Sequence, residues 1–129
     1  IVFFGDHQPT TYVSNPILRN NKVNPETLTD KENLLKYKVP YVIWSNFDIK
    51  EQTGGETSAN YLAMDVLENC DLPLPALQSS LTGLRKEYPV ISAAGVREAD
   101  GTLTTVKECG EALNDYRSLE YYLLFDYER

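Results

Sequence analysis

The chain contains a single histidine, His7, and it directly follows Asp6 at the end of the apolar run Ile1-Val2-Phe3-Phe4. A carboxylate and an imidazole that leave a strand end together can both turn toward one divalent cation, because the turn releases them from the alternation of faces along a strand. The plainer alternative is a hydrogen-bonded turn with no ligand, and a two-residue motif leaves both readings open. Two donors do not complete a site in any case. A catalytic zinc takes three protein ligands and harder cations take more, so any further ligands have to come from elsewhere.

Other chemistries fail for want of parts. No Ser-His-Asp or Cys-His set can be assembled without His7, and Gly54-Gly55 lacks the Lys-Ser or Lys-Thr of a nucleotide loop, so it reads as a flexible turn. Cys70 and Cys109 lie far apart without CxxC spacing or a second histidine, which excludes a zinc cluster and leaves a disulfide or two buried thiols. Trp44, Asn46, Tyr121, Tyr122 and Tyr127 have side chains that suit a sugar-binding surface, but aromatics beside apolar strands and helices are expected to be core residues with a polar tip at the surface. Asp65, Glu68 and Asp71 read as a solvated helix face.

Composition narrows the class further. With 129 residues, 42% hydrophobic and 24% charged, the chain fits a single domain, residues 1–129, that buries roughly two thirds of its unfolded surface. Its net charge is -7, from 19 acidic and 12 basic residues, and the basic ones form no stripe, so no nucleic acid is expected as a partner. No apolar stretch reaches the ~18 residues of a membrane span. The opening apolar run has no initiator Met or basic leader before it, and this reads as a cut through a longer protein.

The elements that must position Asp6 and His7 follow from local pattern. Ile1 to Phe4 predicts a strand buried on both faces, ended by Gly5, and residues just past such a strand are where α/β folds place their chemistry. Gln8 to Asn24, with Pro9 and Pro16, predicts a long loop. Thr29-Asp30-Lys31-Glu32 has the spacing of a capping box and predicts a short helix stopped by Pro40. Tyr41-Val42-Ile43-Trp44 suits an interior strand, and Ser58 is placed to cap a helix running to about Cys70. Leu77, Leu81, Leu84 and Tyr88 form one apolar stripe on the next helix, which Pro89 ends. Val90 to Val96 and Thr102 to Val106 predict a hairpin around Asp100-Gly101, and Glu111 to Phe125 predicts a terminal helix docked on the core. The expected fold class is α/β, with short strands, three to four helices and a small antiparallel hairpin.

Several segments taken in order resemble one family. Ile-Val-Phe-Phe-Gly-Asp-His-Gln-Pro at 1–9 resembles the late metal-binding segment of the lipoteichoic acid synthase-like sulfatases, the phosphoglycerol transferase branch of the alkaline phosphatase superfamily. Val39 to Phe47 resembles the strand that follows. Thr57 to Leu62 with Leu72-Pro73-Leu74-Pro75 is similar to the helix and loop beyond it, and Tyr116 to Phe125 to the terminal helix. Gly-Asp-His-Gln-Pro is closer to the glycerol phosphate transferases than the Asp-His-Gly usual in arylsulfatases.

The resemblance implies a C-terminal portion of a sulfatase-like catalytic domain, in a bacterial enzyme anchored in the membrane with that domain outside. Its implied chemistry uses a Thr nucleophile and a divalent cation, manganese before magnesium, zinc or calcium, on a phosphatidylglycerol-type lipid or another phosphate or sulfate ester. Asp6 and His7 would be metal ligands. The nucleophilic Thr, the early acidic ligand and the substrate-binding His and Arg would lie in the upstream part of the same polypeptide, so this fragment is expected to be inactive alone. Thr10, Thr11 and Thr57 do not stand in the nucleophile's context. A non-catalytic cell-surface binding module on the same fold is the competing expectation. An exposed apolar surface, open to self-association, is expected where further strands would pair with Ile1 to Phe4.

Overall fold

The first apolar run and the run after Pro40 pair with each other. In the computed structural model, which describes residues 1–51, 53, 55–111 and 113–126, β1 (Val2–Phe4) lies antiparallel to β2 (Tyr41–Ile43), with Phe3 opposite Val42. The ladder extends one residue further, because the Trp44 amide donates to the Ile1 carbonyl at 2.8 Å. This two-stranded sheet departs from the expectation of interior strands: Ile1, Phe3, Val42 and Trp44, on one face of the ribbon, are 55 to 80% exposed. Antiparallel pairing permits one open face, whereas the reading of a doubly buried strand assumed a parallel, covered sheet.

Between the two strands the predicted long loop is instead largely helical. Helix α1 (Thr11–Asn20) contains Pro16, whose ring φ suits a helix and whose missing N–H forfeits one bond to the carbonyl of Tyr12, itself exposed. Helix α2 (Asp30–Leu34) carries the predicted capping box: the Glu32 amide donates to Thr29 Oγ1 at 3.3 Å, and the Thr29 amide donates back to Glu32 Oε2 at 2.9 Å. A 3-10 turn, Leu35–Tyr37, leads to Pro40.

The second half builds the core. Helix α3 (Leu62–Asn69) follows a 3-10 turn at Ala59–Tyr61, and Ser58, expected to cap it, instead accepts the Ile91 amide on Oγ at 2.7 Å. Helix α4 (Ala76–Glu87) presents Leu81 to Tyr61 and Met64, with Leu84 and Ile91 packed beside them. The predicted strand from Val90 to Val96 is itself a hairpin: β3 (Val90–Ser92) turns through Ala93 and Ala94 into β4 (Gly95–Arg97). Gly95 has φ +154°, and a β-carbon there would stand 3.3 Å from the Thr104 carbonyl oxygen. The hairpin predicted at Asp100-Gly101 joins β4 to β5 (Leu103–Thr104), closed by the Gly101 amide on the Glu98 carbonyl at 3.0 Å.

The sheet order is β3-β4-β5, and Val96 from its centre packs with Cys109 and Leu113 in a second cluster that also touches Leu84 and Ile91. Cys70 and Cys109 are free thiols, the first half-buried and the second buried. Helix α5 (Asn114–Tyr121) continues into a π-helical turn, Tyr122–Asp126, whose Tyr122, Leu123, Leu124 and Phe125 are exposed rather than docked as expected. Among the described residues the fold is thus a small α/β one with five α-helices, one more than expected, and two small antiparallel sheets. Among the described residues no helix is long and apolar enough to cross a membrane.

Candidate metal centre

Gly5 sets the position of the turn that carries Asp6 and His7. Its amide donates to the Pro40 carbonyl at 3.1 Å, and a β-carbon added there would meet the Val39 Cβ at 3.0 Å, so the strand end closes on the 38–40 segment only because residue 5 has no side chain. Beyond it Asp6 and His7 project into solvent, with side chains 83% and 76% exposed.

The pair is internally ordered. The His7 amide donates to Asp6 Oδ1 at 2.9 Å, leaving Oδ2 3.6 Å from His7 Nε2. On the other side of the ring, Nδ1 stands 2.7 Å from the Gln8 carbonyl oxygen. A carbonyl only accepts, so Nδ1 carries the proton of that hydrogen bond and the neutral ring keeps its lone pair at Nε2. Metal-binding histidines are commonly oriented by such a bond from the second ring nitrogen. Adjacent donors stand roughly 3.4 Å apart on a tetrahedral cation and roughly 3 Å apart on an octahedral one such as manganese, and the Oδ2 to Nε2 spacing of 3.6 Å would close by a few tenths of an ångström on either. The pair therefore fits a cation as two adjacent donors. Among the described residues no group of three or more His, Cys, Asp and Glu is gathered to hold a metal ion.

A second feature lies apart from this turn. An open cleft of about 790 Å³ runs between β2, the 45–57 segment and helices α3 and α4, and neither Asp6 nor His7 lines it. On its floor Arg85 donates from one nitrogen to Asp65 Oδ1 at 3.0 Å and from another to both oxygens of Glu68, at 2.8 and 2.9 Å. Asp65 and Glu68, three residues apart on α3, are thus bound across to α4 rather than simply solvated as expected, while Asp71, at φ +55°, is exposed beyond the helix end. The spacing of Asp65 and Glu68 shows in sequence; the cross-helix partner, Arg85, does not. Burial, with the Asp65 charge adding to it, raises the pKa of Tyr41 at the cleft edge.

The aromatic surface also differs from expectation. Trp44, Tyr121 and Tyr122 are exposed rather than core residues, and so is Asn46, two residues after Trp44, while the Tyr121 ring packs against Phe125 with centroids 5.0 Å apart. Gly54 and Tyr127 lie outside the described residues. Comparison with protein-family models, with curated proteins and with solved structures found no match to this chain.

Proposed function

We propose that this chain is the C-terminal part of a metal-dependent, sulfatase-like phosphoglycerol transferase acting on phosphate or sulfate esters at a bacterial cell surface, and that it contributes the ligand pair Asp6 and His7 without being a catalyst alone. The observation that carries the reading is the pairing of Asp6 Oδ2 and His7 Nε2 at 3.6 Å, with Nδ1 held by a carbonyl so that the metal-facing nitrogen is the unprotonated one. The ordered resemblance of the segments from Ile1 to Phe125 supplies the reaction class. The fold is compatible with it at the level of α/β architecture.

In this reading each residue has a bounded role. Asp6 supplies an anionic oxygen and His7 a neutral nitrogen, and the open surroundings of both leave room for donors from the upstream part of the polypeptide. A divalent cation, manganese first, would lower the pKa of a bound hydroxyl and neutralise phosphoryl oxygens. The nucleophilic Thr belongs to the upstream part, as does the membrane anchor that would place the domain outside the cell. The test is direct because the chain has one histidine. Manganese(II) added to the 129-residue chain should broaden the His7 ring-proton resonances selectively, and Asp6→Ala should abolish the effect. A chromogenic phosphodiester should not be turned over. Unselective broadening, or turnover that is lost in His7→Ala, would overturn the reading.

A further inference from the structure

The turn after β1 is anchored at two points, and the second anchor is a side chain that the proposed ligand set does not include. Gln8 Nε2 donates to the Lys38 carbonyl, 30 residues away in sequence, while the main-chain carbonyl of the same residue receives the His7 Nδ1–H at 2.7 Å. Lys38 is itself braced, because its amide donates to the Leu35 carbonyl at 3.3 Å and its ammonium pairs with Glu56. Pro9 follows Gln8 and confines it to extended backbone, which limits where its carbonyl can point.

We infer that Gln8 is the positioning residue of the Asp6-His7 pair: its side chain pins the turn to the segment before β2, and its carbonyl selects the imidazole tautomer that leaves Nε2 free for a cation. This rests on the metal-ligand reading for its purpose, but its geometry stands without a metal. The two roles depend on each other. With the amide anchor removed, the peptide plane between Gln8 and Pro9 keeps the Gly5 to Pro40 bond on one side and the Val13 and Ser14 amides on the Thr10 carbonyl on the other, and neither ties it to Lys38. The exposed His7 ring then has no fixed acceptor, and its neutral form distributes the proton between both nitrogens. Partners of this second rank change metal affinity by about 10-fold to 100-fold when removed.

The experiment compares the chain with Gln8→Met, which keeps the length of the stem and removes the donor. At a pH where the imidazole is neutral, the ¹⁵N shifts of the single histidine report the tautomer. The unaltered chain should show a protonated Nδ1 and an unprotonated Nε2; Gln8→Met should move both shifts toward a mixture. In a parallel manganese(II) titration, broadening of the His7 ring protons should need about tenfold more metal in the variant. Unchanged amide resonances for residues 58–126 would show that the fold is kept. If Gln8→Met matches the unaltered chain in both tautomer and titration, the assignment of Gln8 is overturned. If manganese leaves His7 of the unaltered chain untouched, the metal reading falls, and Gln8 is then decided by the tautomer alone: a changed shift pattern supports its positioning role and an unchanged one removes it.

Discussion

At the scale of single residues, reciprocal hydrogen bonding is what the sequence announces best. Thr29 and Glu32 were legible as a capping box because both partners sit within four residues, and the structure joins them as expected. The Thr29 amide, and then its hydroxyl, hold the Glu32 carboxyl below the usual carboxylate range. A carboxyl depressed in the folded state stabilises fully above its unfolded-state value of 4.5 and loses that contribution as pH falls through the lower folded-state value. Protection factors at Thr29 and Glu32, taken relative to intrinsic exchange at each pH, should therefore fall on acidification below that range, and Thr29→Ala should cost about 1 kcal/mol in denaturant unfolding. Tyr61 supplies the opposite limit. Burial pushes its hydroxyl up to about 12, and that hydroxyl donates to the Tyr88 carbonyl at 3.1 Å. The associated stability is intact below the ordinary value of 10.0 and declines as pH rises toward 12, so absorbance at the tyrosinate band should rise together with base unfolding. The turn of Asp6 and His7 was legible as adjacent residues after an apolar run. Gln8 was not, because its partner is 30 residues distant and a glutamine in a polar stretch carries no periodic signal.

Elements were readable where a pattern repeats and obscure where one residue carries the turn. The stripe of Leu77, Leu81, Leu84 and Tyr88 marked α4 correctly. Pro16 disguised α1, since the same ring that breaks a buried helix costs little in an exposed one. The turn from β3 to β4 uses Ala93 and Ala94, residues with no turn preference of their own, and its signal lies one place later in Gly95. Packing gives two predictions at this scale. Met64, fully buried between α3 and α4, should cost about 2–5 kcal/mol when replaced by Ala, read from chemical denaturation. Gly5→Ala should cost about 1–3 kcal/mol, because the added methyl meets the Val39 Cβ, and it should shift the backbone resonances of Asp6 and His7.

For the molecule as a whole, surface is the informative quantity. The accessible surface is 9714 Å², against roughly 6,900 Å² for a compact monomer of this mass. The chain buries nearer half of its unfolded surface than the two thirds that length alone suggested. Part of the excess is the apolar ribbon face of Ile1, Phe3, Val42 and Trp44, and part is the run from Tyr121 to Phe125. An uncovered face of this kind on a two-stranded sheet favours association, so sedimentation should show a weight-average mass that climbs with concentration. Phe3→Lys with Val42→Lys should return the chain to a monomer, and a strictly monomeric profile before substitution would contradict this. The distribution of the core has a further consequence. Among the described residues, every fully buried one lies at Ser58 or beyond, while Asp6 and His7 ride on the part that contributes none. A part with no buried residues is expected to open before the core does, and in the metal reading proposed above the affinity for a cation would be reduced by the fraction of time the turn is not formed. If the proposed cation binds, it should slow amide exchange around β1 and β2 while leaving exchange at Met64 and Val96 unchanged, so that exchange rates and not the melting of the core would report it.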